Sequence, residues 1–209
     1  MQDLKETTSY RKSLKDKIMD VAMKLFAERG IRAVTMDDIA QHLGISKRTL
    51  YEIYDDKEAL LFAGMRTYRE QHHARLKKVH DEGGTVMDVI LKLYEISLEE
   101  SSNVNPQFYA DIEKYPKLLE ALHQDRQDKR QFFMEFMKRG MDEGYFLKDI
   151  NYDLIGHLFE ALENYMMRTH LYEAYSFKEI YVNMLLVSLR GFCTVKGIKV
   201  LDDTVMGGR

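Results

Sequence analysis

Residues 35–57, TMDDIAQHLGISKRTLYEIYDDK, constrain the fold more than any other part of the chain. Thr35 is followed three positions later by Asp38, which is the pattern of a capping box at a helix N-terminus. Gly44 then stands where glycine best tolerates the left-handed conformation that ends a helix. Ser46 can cap a second helix directly afterwards. The stretch therefore predicts two short helices joined by a sharp turn, a helix-turn-helix.

The second of these helices carries side chains that suit DNA. Leu50 is predicted to point inward, while Lys47 and Arg48 lie on the outward-facing first turn. Lysine and arginine can hydrogen-bond to guanine O6 and N7, and hydroxyl groups and helix N-terminal amides suit phosphate oxygens. A solvated helix face is the alternative interpretation of Lys47 and Arg48. The cap, turn and inward leucine occur in register, which favours a helix that enters a major groove.

A helix is predicted to precede this motif, from about Lys12 to Arg29, with Gly30 at its end. Its apolar residues form one stripe with helical spacing, which would pack across the two short helices and complete a three-helix domain. These residues are Leu14, Ile18, Val21, Ala22, Leu25 and Phe26. Residues 1–10 are polar and are expected to form a loose arm.

Roughly the first 60 residues resemble the TetR-type transcriptional regulators. The resemblance is carried by Leu25, Phe26, Gly30, Thr35, Ile39, Ala40, Gly44, Ser46, Leu50, Tyr51, Tyr54, Lys57, Glu58 and Leu60. It implies that seven residues occupy DNA-facing positions: Thr35, Ser46, Lys47, Arg48, Thr49, Tyr51 and Lys57. Glu52-Ile53 departs from the family pattern, in which an aromatic residue or histidine commonly helps to hold the DNA backbone. Glu52 would repel phosphate if it faced the DNA.

Charge and cysteine content limit the classes of function. The net charge is −3, and residues 1–62 hold 11 basic and 11 acidic residues, so DNA affinity has to come from the placement of charges. Cys193 is the single cysteine, which excludes an internal disulfide and fits a reducing cytosol. It is expected to be a small buried hydrophobe. We expect no signal peptide and no membrane span, and therefore a cytoplasmic protein, because the apolar run at residues 180–189 is short and contains Asn183.

The rest of the chain is predicted to be helical as well. A long helix over Lys57–Asp81 would connect the two domains and act as a lever between them. Further helices are expected from Thr85 to Ser101, from Asn105-Pro106 to Pro116, from Lys117 to Glu143, and from Asn151 and Ser176 onward. The fold class is all-α, with a helix-turn-helix DNA-binding domain with its N-terminal arm at residues 1–56 and a larger effector-binding and dimerisation domain at residues 57–209.

The final helix is apolar around most of its circumference, which a surface helix in a monomer does not tolerate. A homodimer that joins two helices from each subunit would cover it, and the resemblance implies the same dimer. A wholly buried central helix in a monomer is the alternative. The predicted interface residues are Leu158, Leu162, Met184, Leu185, Val187 and Ser188.

Aromatic and methionine side chains are abundant in the larger domain, where most of them would form core. Together they are able to line an apolar pocket with a few polar groups, and the resemblance implies such a pocket. The candidates are His72, Tyr94, Phe108, Tyr109, Phe133, Phe136, His157 and Tyr165. Glu70–His73 and Glu120–His123 have the spacing of metal-ligand pairs, but both glutamates point away from the apolar faces. We therefore predict no metal, no cofactor and no catalytic residues.

The sequence thus predicts a homodimeric regulator that binds a pseudo-palindromic double-stranded DNA operator. The hypothesis is a repressor that responds to a small apolar or amphipathic effector. An activator and a regulator controlled by a protein partner are alternatives within binding proteins. A helical enzyme with an incidental helix-turn-helix is the alternative from another class.

Overall fold

The computed structural model describes residues 2–101, 104–115, 118 and 126–206. Within these ranges the secondary structure is helical, with no strand and one isolated antiparallel bridge between Phe146 and Cys193. The chain divides into two compact units. The N-terminal unit comprises Met1–His72 and Asn103–Leu119, and the C-terminal unit comprises His73–Ser102 and Glu120–Arg209.

The helices follow one another with short connections. They are α1 (Gln2–Arg29), α2 (Met36–Leu43), α3 (Lys47–Tyr51), α4 (Lys57–Asp81), α5 (Val86–Ser101), α6 (Pro106–Ile112), α7 (Arg126–Asp142), α8 (Tyr152–Arg168), α9 (Leu171–Ala174), α10 (residues 177–190) and α11 (Val195–Leu201). Helix α10 is α-helical at both ends and π-helical over Tyr181–Leu186. A second π-helical turn, Asp202–Met206, follows α11.

The core of the N-terminal unit is built on the apolar stripe of α1. Ile18, Ala22 and Phe26 are completely buried, and Leu25 is nearly so. They pack among buried residues of the following helices, namely Ile39, Ala40, Leu50, Leu60 and Leu61. The stripe predicted from helical spacing is therefore the buried face of α1.

Helix α6 belongs to the same unit and packs against α1. The Asn105 backbone N–H donates to the Ala27 carbonyl oxygen at 2.7 Å. Gly30 ends α1 with φ +85°, and a Cβ built on it would stand 2.9 Å from Cγ of Gln107. A side chain at position 30 would therefore meet both backbone strain and a clash.

The C-terminal unit has its own core, which α5, α7, α8, α10 and α11 enclose. Phe146 and Tyr152 each meet Phe192 edge to face, with ring centroids 5.4 and 5.6 Å apart. The Tyr152 hydroxyl donates to the Leu147 carbonyl oxygen at 2.5 Å, so its polar end is satisfied. Further buried members are Val86, Met87, Ile90, Met137, Leu186, Leu189, Cys193 and Leu201.

Several helix boundaries differ from those predicted. Helix α1 begins at Gln2 instead of Lys12, because residues 2–10 contain no proline or glycine to stop it. Helix α6 ends at Ile112, before Pro116, and α7 is observed from Arg126, since residues 119–125 of the predicted helix lie outside the described ones. Helix α11, which Thr194 caps, was not expected. The boundary between residues 56 and 57 stays a prediction, because packing divides the chain after His72.

Candidate nucleic-acid interface and internal cavity

The helix-turn-helix starts with the capping box that the sequence predicts. The Asp38 backbone N–H donates to Oγ1 of Thr35 at 3.1 Å, and the Thr35 N–H donates to Oδ2 of Asp38 at 2.8 Å. The Thr35 hydroxyl also donates to this carboxylate, at 2.6 Å. These bonds stabilise the ionised carboxylate and hold the pKa of Asp38 below its ordinary value. Thr35 thus fixes where α2 begins.

The turn between α2 and α3 has the geometry expected of a glycine C-cap. Gly44 has φ +65°, and the N–H of Ile45 donates to the Ala40 carbonyl oxygen at 3.0 Å. Ser46 then caps α3, with its Oγ accepting from the Thr49 N–H at 3.1 Å and lying 2.8 Å from the Thr49 hydroxyl. Leu50 is fully buried. The opposite face of α3 is therefore turned outward.

That outward face carries the predicted base-reading cations, and each is paired with an acid. Lys47 forms an ion pair with Asp37, and Nε of Arg48 donates to Oε1 of Glu52 at 2.9 Å. The Arg48 side chain is nonetheless 90% exposed, so its terminal nitrogens remain accessible. Tyr51 is also exposed. Glu52 thus lies beside Arg48 on the surface that the sequence predicts to face DNA.

Lys57 has a structural role that its sequence position did not reveal. Its Nζ donates to the carbonyl oxygens of Ile31 and Val34 at 2.9 and 2.8 Å, and partial burial lowers its pKa. Two of the three ammonium N–H groups therefore hold the loop between α1 and α2. The predicted DNA contact of Lys57 has only the third N–H available.

The C-terminal unit encloses a cavity of about 580 Å³, a typical size for a site that binds a small organic molecule. Its walls come from α5, α7, α8, α10 and the end of α4, and most of the side chains are apolar. Three of the predicted pocket residues, Phe133, Phe136 and His157, line this cavity. Tyr94 lies behind the wall, with its ring 5.4 Å from that of the lining residue Tyr181.

The other predicted pocket residues lie elsewhere. His72 packs against Tyr68 in the N-terminal unit, with ring centroids 4.3 Å apart. Phe108 and Tyr109 meet edge to face on α6, which packs on α1. Tyr165 is exposed on α8. Helical spacing alone did not distinguish these positions from cavity positions, because it does not say which neighbour a helix face meets.

The π-helical segment forms part of the cavity wall and was missed from the sequence. Tyr181, Met184, Leu185 and Leu186 all belong to this segment and line the cavity. Such segments are uncommon and often occur at functional sites. Burial raises the pKa of Tyr181 to about 12, so its hydroxyl stays neutral and can donate a hydrogen bond to a ligand.

Helix α8 exposes an apolar stripe on the face turned away from the core. Leu154, Leu158 and Tyr165 are 63%, 42% and 49% exposed, and Val187 on α10 is 50% exposed. Among the other predicted interface residues, Ser188 is half-buried and donates to the Met184 carbonyl oxygen. Leu162, Met184 and Leu185 line the cavity. The interface stays a prediction that the exposed stripe favours.

Neither metal chemistry nor reactive cysteine chemistry is visible in the described part of the chain. The described residues contain no group of three or more histidine, cysteine or acidic side chains placed to hold a metal ion. Cys193 is buried, and desolvation raises the pKa of its thiol to about 11. No helix in the described ranges combines the length and apolarity that crossing a membrane requires.

Comparisons with known proteins agree with this architecture. Residues 18–63 match the family model described as bacterial regulatory proteins, tetR family. The transcriptional repressor KstR2 of Mycobacterium tuberculosis is 27% identical over 149 residues, which cover 68% of this chain and 74% of KstR2. IcaR of Staphylococcus epidermidis, a negative regulator of a biofilm operon, is 47% identical over 47 residues, 22% of this chain and 25% of IcaR.

The fold is also shared over most of the chain. A TetR-family regulator from Agrobacterium tumefaciens superposes with a TM-score of 0.68 at 14% identity, covering 88% of this chain and all of the other. The capped helix-turn-helix, the family match across it and the second helical unit lead to the same conclusion. The chain belongs to the TetR family and is a DNA-binding regulator of transcription.

Proposed function

We propose that the chain represses transcription as a homodimer on a pseudo-palindromic operator and leaves the DNA when a small apolar or amphipathic molecule fills the cavity. The observation that carries this proposal is the cavity of about 580 Å³, enclosed by the unit that does not contain the helix-turn-helix. A regulator that only bound DNA would have no need of it.

The DNA contacts would come from the outward face of α3 and the N-termini of α2 and α3. Lys47 and Arg48 would read base edges, and Thr35, Ser46, Thr49 and Tyr51 would bind phosphates. Two copies of α3 in a dimer would enter successive major grooves about 34–36 Å apart. The contribution of Lys57 would be a single phosphate contact.

The dimer would be formed by the exposed stripe of α8 together with α10. Leu158→Glu would place a charge in this interface and convert the dimer to a monomer in sedimentation velocity. Val195→Glu is the matched control, because Val195 is 85% exposed but lies outside both helices. A Leu158→Glu protein that remains dimeric would remove the stripe from the interface.

The response to an effector requires that the ligand bind the DNA-free conformation more tightly than the DNA-bound one. Helix α4 is the element that would transmit the change, since it contributes residues 57–72 to the N-terminal unit and residues 73–81 to the C-terminal unit. A movement of its C-terminal part would then change the spacing of the two α3 helices.

The first test is selection of bound fragments from a random DNA pool. An inverted repeat should be recovered with the native chain and lost with Lys47→Ala/Arg48→Ala. The matched control is Lys77→Ala/Lys78→Ala, which removes the same charge from exposed positions of the C-terminal unit. Recovery of the same repeat with Lys47→Ala/Arg48→Ala would exclude α3 as the reading helix.

We place this activity in the cytoplasm and regard the chain as a binding protein without catalytic activity. The relatives are named as transcriptional regulators, which supports the second statement. Chemical change of a candidate effector after incubation with the purified protein, followed by mass spectrometry, would contradict it.

A further inference from the structure

The polar groups of the cavity lie on its exposed side and carry an excess of negative charge. The charged lining residues are Arg130, Asp153, Glu160 and Glu163, with His157 among them. Three carboxylates thus face one guanidinium, a net charge of −2 when His157 is counted as neutral. We call Asp153, His157, Glu160 and Glu163 the α8 rim, because helical spacing places them along one face of α8.

The cation at the rim is already engaged. Arg130 forms an ion pair with Asp153, so its charge is largely compensated within the rim. His157 Nδ1 lies 3.6 Å from Oε2 of Glu160. Within the described part of the chain, Glu163 has no ion-pair partner. An anionic ligand would meet Glu160 and Glu163 with no unpaired cation among the described lining residues to receive it.

The wall beside the rim is aromatic. Phe132 is 53% exposed and stacks on Phe136, with ring centroids 6.4 Å apart, and Phe133 meets Phe159 edge to face. Faces of aromatic rings carry negative electrostatic potential and attract cations such as ammonium groups. Carboxylates and ring faces therefore favour the same sign of ligand charge.

The depth of the cavity is apolar. Its buried lining residues are Val89, Ile90, Met137, Ile180, Leu186 and Leu189, and the neutral Tyr181 hydroxyl is the polar group close to them. A hydrocarbon tail would displace water there and gain the free energy of apolar burial. The apolar part of a ligand would thus lie inside and its charge at the rim.

We infer that the cavity binds an amphipathic cation, with its ammonium group between the α8 rim and the aromatic wall and its apolar part toward α10. This inference rests on the proposed function, because it names the class of the effector. It sets this chain apart from regulators whose effectors carry carboxylate or phosphate groups.

The test compares three probes with the same tail, below their micelle concentrations, by isothermal titration calorimetry with the full chain. Decyltrimethylammonium is cationic, decyldimethylamine oxide is neutral with a similar head, and decanoate is anionic. We expect decyltrimethylammonium to bind about tenfold or more tightly than decanoate, with the amine oxide between them. Decanoate binding as tightly as the cation, or the absence of saturable binding for all three, would overturn the inference.

The rim is tested with Glu160→Gln/Glu163→Gln, which keeps the side-chain shape and removes two charges. The preference for the cation over decanoate should fall to about threefold or less. Asp149→Asn/Asp203→Asn is the matched control, since it removes two exposed charges outside the cavity lining and should leave the preference unchanged. An unchanged preference in the rim variant would place the cation somewhere else.

A second measurement locates the binding. The chain has no tryptophan, so the indole of a Met166→Trp variant would report on the cavity wall alone. Its fluorescence should change with saturation at the concentration where heat is released, and a binding isotherm without this change would contradict the inference. Operator DNA separates the two proposals. If the cation binds through the rim but the DNA stays bound, the ligand class stands and effector-driven release fails.

Discussion

Oδ2 of Asp111 accepts a hydrogen bond of 2.8 Å from the backbone N–H of Arg32, a residue 79 positions earlier in the sequence. The Asp111 side chain is fully buried, and its Oδ1 accepts from Nε2 of Gln107 at 3.1 Å. Together with Lys57, which donates to the carbonyl oxygens of Ile31 and Val34, Asp111 holds the loop that leads into α2. Helix α6 is therefore part of the N-terminal unit, although the family match ends at residue 63.

Replacing Asp111 should destabilise this unit. Asp111→Ala would leave the Arg32 N–H without its partner, at a cost of roughly 1–3 kcal/mol in the free energy of unfolding. Urea denaturation of the full chain measures the loss, and operator affinity should fall with it. Asp20→Ala removes an exposed carboxylate from α1 and serves as the control. A change below about 0.5 kcal/mol for Asp111→Ala would show that the loop is held without α6.

Gly44 should resist substitution because of its backbone conformation alone. Its φ is +65°, and no atom lies within 4 Å of the position that a Cβ would take. Gly44→Ala should therefore cost about 1 kcal/mol in unfolding free energy, whereas Gly44→Asn should cost less because asparagine tolerates the left-handed region. Equal losses for the two variants would point to a cause other than backbone strain.

Glu52 should oppose DNA binding through its charge. Glu52→Gln should raise affinity for a DNA duplex several-fold at low salt, and the gain should shrink as salt increases. Fluorescence anisotropy of labelled DNA at several salt concentrations measures both effects, with Asp20→Asn as a control for net charge. Weaker binding by Glu52→Gln would mean instead that Glu52 orients Arg48 for its contact with a base.

The capping box at Thr35 should make stability depend on pH in acid. Hydrogen bonds from the Thr35 hydroxyl and backbone N–H hold the pKa of Asp38 below its ordinary value of 3.8. Its stabilising contribution is therefore present above that value and lost as the pH falls from there through the lower pKa of the folded chain. The difference in urea midpoint between the native chain and Asp38→Asn should narrow from about pH 6 to about pH 3. A constant difference would contradict this assignment.

Cys193 should be inert in the folded protein. With its pKa raised to about 11 by burial, very little of the thiol is ionised near neutral pH, and the side chain is inaccessible. Iodoacetamide should alkylate it only after unfolding in urea, as followed by intact-protein mass spectrometry. Rapid alkylation of the native chain would show that the core around Phe192 opens readily.

The helix-turn-helix was predictable from the sequence because its determinants are local. Thr35, Asp38, Gly44 and Ser46 act within four residues of their own positions, through caps and a backbone conformation that particular residue types favour. The buried stripe of α1 followed from helical spacing for the same reason. The starts of α5, α6 and α8 at Thr85, Asn105 and Asn151 were likewise predicted.

The cavity and its rim were decided by tertiary structure. The sequence placed Phe108, Tyr109 and Tyr165 among pocket candidates, yet α6 packs on α1 and Tyr165 faces outward. The π-helical segment around Tyr181 gave no sequence signal that the analysis of periodicity could detect.

The sequence by itself determined the family, the helical class and the DNA-reading helix, since caps, turns and helical spacing are set by neighbours along the chain. Only the tertiary structure decided that Asp111 and Lys57 hold the loop before α2 and that an acidic rim borders the cavity. These arrangements join residues that lie far apart in sequence. Their pairing depends on how helix faces pack in three dimensions, which the periodicity of each helix leaves open.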